Sequence, residues 1–299
     1  MSLRILDMQL LLLRCAAAGK HSANFCTPIP DEFHGEGWLG ERILAVTEQM
    51  NSTELLSGQR NLHKQEQALL GMLHSLPWSG QGTLTSSSSS QKSSNFELCF
   101  DMEAIRGEPS PRFSQLAKER GVATVFHGTK MENVWSILNC GLWTLSETKF
   151  CQHGSILGKG VYFSNNYRTA TMFALNQARN CTNSESFQKA WWHFSLVNLL
   201  NLSSFNVLEE YTITCFPVFE AQIILPPADG MSTSDEDCTR REGNYFVVPN
   251  SWDIRITKLH LTFTFTKKRS MSPFLFAAIL ALLLIGWMKM YAQAHVLDE

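Results

Sequence analysis

The sequence predicts an α+β protein with a helical N-terminal domain, a second domain built on a mixed or antiparallel sheet, and a C-terminal transmembrane helix. Three observations support this prediction. Apolar residues recur at helical spacing through residues 1–78, short β-type apolar runs dominate residues 96–266, and Phe274–Trp287, within residues 270–291, is almost uniformly apolar. No GxGxxG pattern follows the first strand of the second domain, which disfavours a doubly wound dinucleotide fold.

The composition excludes some classes of function. The chain has 299 residues and a formal net charge of −2, so its overall charge gives no reason to expect a nucleic-acid partner. Its eight cysteines include no CxxC pair and no Cys/His pair at zinc-binding spacing. We therefore expect no metal site, and thiols that stay reduced in a cytosol-facing protein.

The first 24 residues contain the run MQLLLLRCAAA, which has two interpretations. A secretory signal peptide needs about 7–15 apolar residues in a row, whereas only Leu10–Leu13 are continuous here. We expect an amphipathic helix packed in the N-terminal domain instead. Two further helical stripes predict the core of a supporting or regulatory domain without chemistry. The stripes are Ile43, Val46 and Met50, and Leu62, Leu69, Leu70 and Leu73.

A serine-rich segment, residues 79–95, separates the two predicted domains. It is too polar to be buried, and we expect a flexible, solvated linker. The alternating residues Phe96, Leu98 and Phe100 predict the first strand of the sheet. A loop and a short helix over Pro109–Arg120 are expected to follow it.

The most informative stretch opens with a strand and a helix. Val122–Phe126 is a short apolar run, and the polar pair His127 and Gly128 follows it. A helix is predicted next, and it ends at Gly141 because glycine is favoured just past a helix C-terminus. The apolar positions that predict this helix are Val134, Ile137 and Leu138.

The same stretch continues with a Gly-Lys-Gly turn at 158–160 and a second short strand, Val161–Ser164, that carries Tyr162. The Walker pattern GxxxxGK[ST] is absent, which disfavours nucleotide hydrolysis of that type. Glycines beside His127 and Tyr162 allow a ligand to approach the backbone closely. This arrangement suits a flat polar ring held between backbone amide groups and an aromatic face, although each residue alone also fits an ordinary structural role.

The remaining elements complete the predicted sheet. We expect a helix over Thr169–Ala178, with Met172 and Phe173 directed toward the pocket or the core, and a polar surface loop over Ala228–Gly243. Further strands are predicted at Tyr211–Leu225, Tyr245–Val248 and Ile254–Phe265.

The C-terminal segment predicts a single membrane anchor over residues 270–291. Met271–Met288 has no charged side chain, and about 20 apolar residues suffice to cross a bilayer. The basic triplet Lys267–Arg269 precedes this run, so the positive-inside rule places the large N-terminal part in the cytosol and residues 292–299 in the lumen. A buried core helix is the alternative interpretation.

Three blocks of this sequence, in this order, resemble the PARP-type (diphtheria-toxin-like) ADP-ribosyltransferases, and the resemblance covers roughly residues 96–265. Together with the apolar C-terminus, it points to the tail-anchored mono-ADP-ribosyltransferase type of the endoplasmic reticulum. The blocks are Phe126–Thr129 (FHGT), Gly158–Ser164 (GKGVYFS) and Asn244–Val248 (NYFVV).

The resemblance implies roles for individual residues, with NAD+ as co-substrate, no tightly bound cofactor and no metal. His127, Tyr162 and Tyr245 take the catalytic positions. His127, as a neutral imidazole, would hold the adenosine ribose, while the Gly128 backbone binds the nicotinamide amide and Tyr162 walls the nicotinamide. Thr129 is expected to add a hydroxyl contact on the adenosine side, and Phe173 an aromatic face.

Three positions depart from the wider family pattern. Tyr245 stands where the polymerising members have a Glu that helps activate a ribose hydroxyl, and a phenol with a pKa of about 10 does not replace that carboxylate at neutral pH. Ala170 lies where a nicotinamide-binding Ser is usual, and Phe173 where a stacking Tyr is usual. We expect transfer of single units and weaker NAD+ binding.

These features predict a mono-ADP-ribosyltransferase that modifies proteins, including itself, at the cytosolic face of the endoplasmic reticulum membrane. Its expected partners are protein acceptors, NAD+ and the lipid bilayer, without nucleic acid. The acceptor side chain is left open among Glu, Asp, Lys and Ser. Three alternatives remain: a catalytically silent module that binds NAD+ or an ADP-ribosylated partner, a membrane-anchored scaffold, and a phosphate-removing RNA transferase of the same broad fold, which the near-neutral charge disfavours.

Overall fold

A computed structural model describes residues 3–19, 21–50, 55, 61–76, 84–87, 95–102, 108–144, 157–181, 211–226 and 239–267. In these ranges the α-helices are α1 (Leu3–Ala18), α2 (Ser22–Phe25), α3 (Leu39–Glu48), α4 (Lys64–Ser75), α5 (Pro111–Arg120), α6 (Met131–Cys140) and α7 (Tyr167–Cys181). The strands are β1 (Leu84–Ser87), β2 (Asn95–Asp101), β3 (Val122–Gly128), β4 (Val161–Ser164), β5 (Tyr211–Ile224), β6 (Arg240–Glu242), β7 (Tyr245–Val248) and β8 (Ile254–Lys267). Short 3-10 turns lie at Asp31–Phe33 and Ser251–Asp253.

The strands of the described ranges form one sheet in the order β1-β2-β8-β5-β3-β4-β7-β6. All its recorded pairings are antiparallel, which confirms the predicted α+β class and decides between a mixed and an antiparallel sheet. The long strands β5 and β8 pair at its centre. Because side chains alternate along a strand, the sheet has two distinct faces. Helix α6 packs on one face, and α1, α3 and α4 belong to the same buried cluster, whereas α7 packs on the other face.

The N-terminal helices share their hydrophobic core with the sheet. Leu6 and Leu13 of α1 belong to the same buried cluster as Trp135 of α6, Val125 of β3 and Leu261 of β8. Helix α1 packs mainly against α6 and α3. The predicted helical stripes of residues 1–78 are therefore confirmed as core, but this core is continuous with that of the second predicted domain.

Helix α1 is buried around its whole circumference. An amphipathic helix has a polar face exposed to water, so that part of the prediction was wrong. Asp7 is 2% exposed, and Gln9 and Arg14 are 0% exposed. The Gln9 Nε2 donates a hydrogen bond to the backbone oxygen of Leu73 in α4, at 3.0 Å. The helix lies between α3 and α6, and both sides of it are therefore withdrawn from water.

Two predicted loops contain strands. Within the expected linker of residues 79–95, Leu84–Ser87 forms β1 and pairs with β2, with Leu84 opposite Phe100. Within the expected surface loop Ala228–Gly243, Arg240–Glu242 forms β6 and pairs with β7. Both are edge strands, whose backbone groups are satisfied by one neighbour and whose side chains need no burial. The rest of both segments, apart from Asn95, Thr239 and Gly243, lies outside the described residues.

The central predictions are confirmed. Strand β3 extends through Gly128, and α6 ends at Gly141, whose φ of +89° is one that glycine adopts without strain. Strand β4 has the predicted bounds, Val161–Ser164. Helix α7 is longer than the predicted Thr169–Ala178 at both ends, because it runs from Tyr167 to Cys181.

Across the described ranges, no helix is both long enough and apolar enough to span a bilayer. The predicted anchor, residues 270–291, and the predicted lumenal tail, residues 292–299, lie outside those ranges.

Candidate functional site

The sheet splits where β3 and β4 diverge. Their recorded ladder contact is Phe126 opposite Ser164. One residue further along, the His127 side chain enters the gap, and its Nδ1 lies 2.9 Å from the backbone oxygen of Tyr162. A carbonyl oxygen accepts only, so Nδ1 carries the proton and Nε2 of the neutral ring is left as an acceptor. His127 therefore joins the strands and offers a nitrogen lone pair to a ligand.

The His127 ring is held in its neutral form by its surroundings. Burial lowers the pKa of His127, and the hydrogen bond to the Tyr162 carbonyl only partly offsets that effect. The Phe163 ring contacts the imidazole edge-on, with 5.7 Å between ring centroids. The structure thus agrees with the neutral imidazole expected from the sequence.

The Tyr162 phenol is tied to the turn that precedes its own strand. Its oxygen donates to the backbone oxygen of Gly158 at 2.7 Å and accepts from the Leu157 N–H at 3.1 Å. This internal bonding fixes the ring orientation. The phenol O–H already donates one hydrogen bond and accepts another within the protein. A ligand would therefore contact the ring of Tyr162 more than its hydroxyl.

The Gly-Lys-Gly turn is held from its other side by Arg240 of β6. The Arg240 Nη2 donates to the backbone oxygen of Lys159 at 3.1 Å. Gly158 has a φ of +99°, and a Cβ placed there would lie 2.5 Å from the same Nη2. A Cβ at Gly160 would lie 2.7 Å from Val247. Gly158 is therefore required by its backbone conformation, and Gly160 by its packing against β7.

Gly128 allows helix α7 to lie directly on the end of β3. A Cβ at Gly128 would lie 1.8 Å from the backbone oxygen of Ala170, a distance that no real structure tolerates. Ala170 and Ala174, both almost fully buried, complete this close contact. The missing side chain of Gly128 thus serves helix packing, whereas the predicted use of its backbone by the nicotinamide amide stays a prediction.

An exposed aromatic pair borders the contact between α7 and β7. The rings of Phe173 and Tyr245 meet edge to face, with centroids 6.5 Å apart. Phe173 is 45% exposed and Tyr245 is 37% exposed, and the neighbouring Met172 is 63% exposed. Met172 and Phe173 are therefore not core residues, and Phe173 lies at an open surface beside Tyr245.

The predicted catalytic residues lie on three adjacent strands. His127 is on β3, Tyr162 on β4 and Tyr245 on β7, where Tyr245 is the register partner of Ser164. The turn before β7 is fixed by the Asn165 N–H, which donates to the backbone oxygen of Asn244 at 3.1 Å. His127 and Tyr245 are 118 positions apart in the sequence, and the structure places them two strands apart in the sheet.

Thr129 lies at the start of α6, and its expected hydroxyl contact on the adenosine side stays a prediction. It is 4% exposed, and its hydroxyl accepts a hydrogen bond from Asn133 Nδ2 at 3.0 Å. This bond stabilises the first turn of α6. The structure therefore gives Thr129 a role at the start of the helix and does not present its side chain at the surface.

Two residues near this site carried no signal in the sequence analysis. Arg240 holds the Gly-Lys-Gly turn, and Tyr167, the first residue of α7, packs its ring against Phe126 of β3. Among the described residues no group of three or more His, Cys, Asp or Glu side chains is arranged to hold a metal ion.

Residues 84–204 match the family model of the poly(ADP-ribose) polymerase catalytic domain. The match supports a PARP-type ADP-ribosyltransferase. The helices and antiparallel sheet described above are consistent with a PARP-type catalytic domain, which uses NAD+ as its substrate. The matched part contains His127, Tyr162 and Phe173, whereas Tyr245 lies beyond its end.

Proposed function

We propose that this protein is a mono-ADP-ribosyltransferase that moves one ADP-ribose unit from NAD+ to protein acceptors, including itself, and releases nicotinamide. The proposal rests chiefly on Tyr245, a phenol at the head of β7 beside the aromatic face of Phe173. The resemblance places a carboxylate at this position in enzymes that build chains.

The geometry supports a definite placement of NAD+. The Nε2 of neutral His127 accepts a hydrogen bond from a hydroxyl of the adenosine ribose, because Nδ1 is already committed to Tyr162. The nicotinamide ring lies between the faces of Tyr162 and Phe173, with its amide on the backbone of Gly128. These contacts fix the ribose and the leaving group, and positioning of this kind supplies much of the rate in glycosyl transfer.

The chemical step exchanges one bond for another at C1′ of the nicotinamide ribose. The C1′–N bond breaks with its electron pair going to the pyridinium nitrogen, so nicotinamide leaves as a neutral molecule. The nucleophilic atom of the acceptor forms the new bond to C1′, through a transition state with oxocarbenium character. An acceptor hydroxyl or amine gives its proton to water, and an acceptor carboxylate has none to give.

Single-unit transfer follows from the chemistry of Tyr245. Extension of an ADP-ribose chain requires activation of a ribose hydroxyl by a base. The Tyr245 side chain ends in a phenol O–H, not in the carboxylate that the resemblance gives to the chain-building enzymes at this position. Acceptor groups that are already nucleophilic at pH 7 do not need this assistance.

We further propose that the protein is anchored in the endoplasmic reticulum membrane by residues 270–291, with its catalytic part in the cytosol. The support is the uncharged run Met271–Met288 behind the basic residues Lys267–Arg269. Protease protection in microsomes tests it. A cytosolic catalytic part is digested without detergent, and protection of that part would contradict the proposal.

A catalytically silent module that binds NAD+ is the second candidate. It is favoured by Ala170, which is 1% exposed and offers no hydroxyl to nicotinamide, together with the absence of a carboxylate at Tyr245. This candidate predicts saturable NAD+ binding without release of nicotinamide.

The deciding experiment incubates the full chain, in detergent, with NAD+ labelled in its adenylate phosphate. Nicotinamide release and protein-bound label are measured together, and mass spectrometry gives the number of ADP-ribose units at each modified residue. We expect single units, lost in His127→Ala and retained in the control Trp252→Ala, whose side chain is 71% exposed. Longer chains would contradict the mono-transfer proposal, and binding without release would favour the silent module.

A further inference from the structure

Tyr167, the first residue of α7, spans three strands with its side chain. Its ring meets Phe126 of β3 edge to face at 5.5 Å and His260 of β8 in a similar geometry at 5.5 Å. Its hydroxyl oxygen lies 3.4 Å from Thr262 Oγ1, also on β8. The ring thus lies across β5, which separates β3 from β8 in the sheet.

The residues that share a helix face with Tyr167, up to Ala174, have shorter side chains. Tyr167, Ala170, Thr171 and Ala174 share one helix face, because residues three and four apart lie above one another. Ala170 and Ala174 carry only a methyl group, and the Thr171 hydroxyl donates back to the Tyr167 backbone oxygen at 3.0 Å. Tyr167 is therefore the one large side chain among these four residues, and its ring lies between the first turn of α7 and the sheet.

The contact between Tyr167 and Phe126 joins a strand and a helix that both carry residues of the candidate site. Phe126 immediately precedes His127, and helix α7 carries Phe173, which faces Tyr245. Ala170 lies so close to Gly128 that no space remains between α7 and the end of β3. A shift of the first turn of α7 therefore changes the width of the space between the end of β3 and the ring of Phe173.

We propose that Tyr167 is a positioning residue that sets the affinity of the site for the nicotinamide part of NAD+. It touches neither NAD+ nor the acceptor, and it acts through Phe126 on one side and through the placement of Phe173 on the other. The inference rests on the proposed NAD+ site. A contact between α7 and the centre of the sheet would thus determine part of the affinity for nicotinamide.

The test compares full-length wild type with Tyr167→Leu, Tyr167→Phe and the control Trp252→Leu, an aromatic residue exposed elsewhere. Nicotinamide release gives KM and kcat for NAD+, and calorimetry gives the Kd of nicotinamide. Tyr167→Leu removes the ring contacts, and we expect KM and Kd to rise at least fivefold with kcat within twofold of wild type. Tyr167→Phe keeps both rings in place and loses only the 3.4 Å hydroxyl contact, so its KM stays within twofold.

Phe126→Leu is measured in parallel, since it removes the same ring contact from the strand side. It decides the question if Tyr167→Leu is too unstable to assay. An unchanged KM in the folded variants, or a loss confined to kcat, would overturn the positioning role. Failure of wild type itself to bind nicotinamide or to release it from NAD+ would refute the proposed function instead, so the two failures are distinguishable.

Discussion

The His127 imidazole joins two strands that the sheet leaves apart. Its Nδ1 lies 2.9 Å from the Tyr162 backbone oxygen, one residue beyond the Phe126–Ser164 ladder contact. An ordinary hydrogen bond between the backbones of β3 and β4 would join the strands here without providing a nitrogen lone pair. The same ring therefore closes the split in the sheet and supplies the acceptor that the proposed NAD+ site needs.

The first prediction concerns the pH dependence of NAD+ cleavage. Burial lowers the pKa of His127 below its ordinary value of about 6.5, so the ring is neutral above that pH. We expect kcat/KM for NAD+ to be flat from pH about 6.5 to 8 and to fall only below that range, as the acceptor nitrogen becomes protonated. A profile of nicotinamide release against pH checks this. An acid limb with its midpoint above pH about 6.5 would contradict it.

The same histidine makes folding stability depend on pH with a defined sign. Between the lowered pKa of the folded state and the ordinary value near 6.5, the unfolded chain binds the proton more readily. The contribution to stability is therefore fully present above pH about 6.5 and is lost as the pH falls through the lowered pKa. We expect His127→Asn to flatten this part of a Tm profile, and an unchanged slope would refute it.

The second prediction concerns Glu220 at the centre of the sheet. Burial opposes its ionisation, but hydrogen bonds and charge from Lys258 and His260 outweigh burial and lower the pKa of the Glu220 carboxyl. Its contribution to stability is present above pH about 4.3 and lost as the pH falls through the lowered pKa. Glu220→Gln should cost about 1 kcal/mol at pH 7, a value that allows for the partial exposure of Lys258.

Urea unfolding at pH 7 and at pH about 3 measures this effect. The difference between wild type and Glu220→Gln should shrink at the lower pH, where the wild-type carboxyl approaches its protonated form. Equal differences at both pH values would show that the ion pair does not stabilise the fold. Lys118→Ala, an exposed substitution on α5, is the control for a general charge effect.

The third prediction concerns Gly128. Gly128→Ala places a Cβ 1.8 Å from the Ala170 backbone oxygen, so strand and helix must separate. We expect a loss of stability of about 1–3 kcal/mol or more, together with weaker nicotinamide binding. Gly71→Ala in α4 is the matched control, because a Cβ there meets nothing within 4 Å and alanine favours a helix. Wild-type stability in Gly128→Ala would disprove the close packing of α7 on β3.

The fourth prediction concerns the core that the N-terminal helices share with the sheet. Leu13 is fully buried in α1, and Leu13→Ala should lower the free energy of unfolding by about 2–5 kcal/mol. Because the core is continuous, calorimetry should show one transition that moves as a whole, as it should for Leu261→Ala in β8. Two transitions, of which only one moves, would show that the helices unfold separately.

The fifth prediction concerns the turn that holds Tyr162. Arg240→Ala removes the hydrogen bond to the Lys159 backbone oxygen and the guanidinium that packs on Gly158. We expect a loss of about 1 kcal/mol in stability and a rise of a few fold in KM for NAD+, since the Tyr162 ring loses part of its support. Lys118→Ala serves again as the control. A normal KM with reduced stability would limit Arg240 to a structural role.

Much of the site could be predicted because its elements are short and each follows from a local sequence pattern. The strand ending at His127, the helix ending at Gly141 and the strand carrying Tyr162 each follow from local periodicity and glycine placement. Strands β1 and β6 were missed because both lie at sheet edges, where polar side chains show no apolar alternation.

The contacts between distant residues were beyond such patterns. Tyr167 reaches Thr262, 95 residues away, and nothing near Tyr167 in the sequence indicates that partner. The burial of α1 on all sides depends on α6, more than 100 residues further along the chain. The three catalytic candidates were found through motifs, whereas the residues that hold them in place became visible only through packing.

The packing of α1 on α6 has a thermodynamic consequence for regulation. Helix α6 begins two residues after Thr129, and Gly19, just past α1, lies so close to Glu132 that a Cβ there would be 2.5 Å from its carboxylate. A molecule that shifts α1 against α6 would therefore act on a helix that begins four residues after His127. If such a molecule changes the affinity for NAD+ by some factor, NAD+ must change the affinity for that molecule by the same factor.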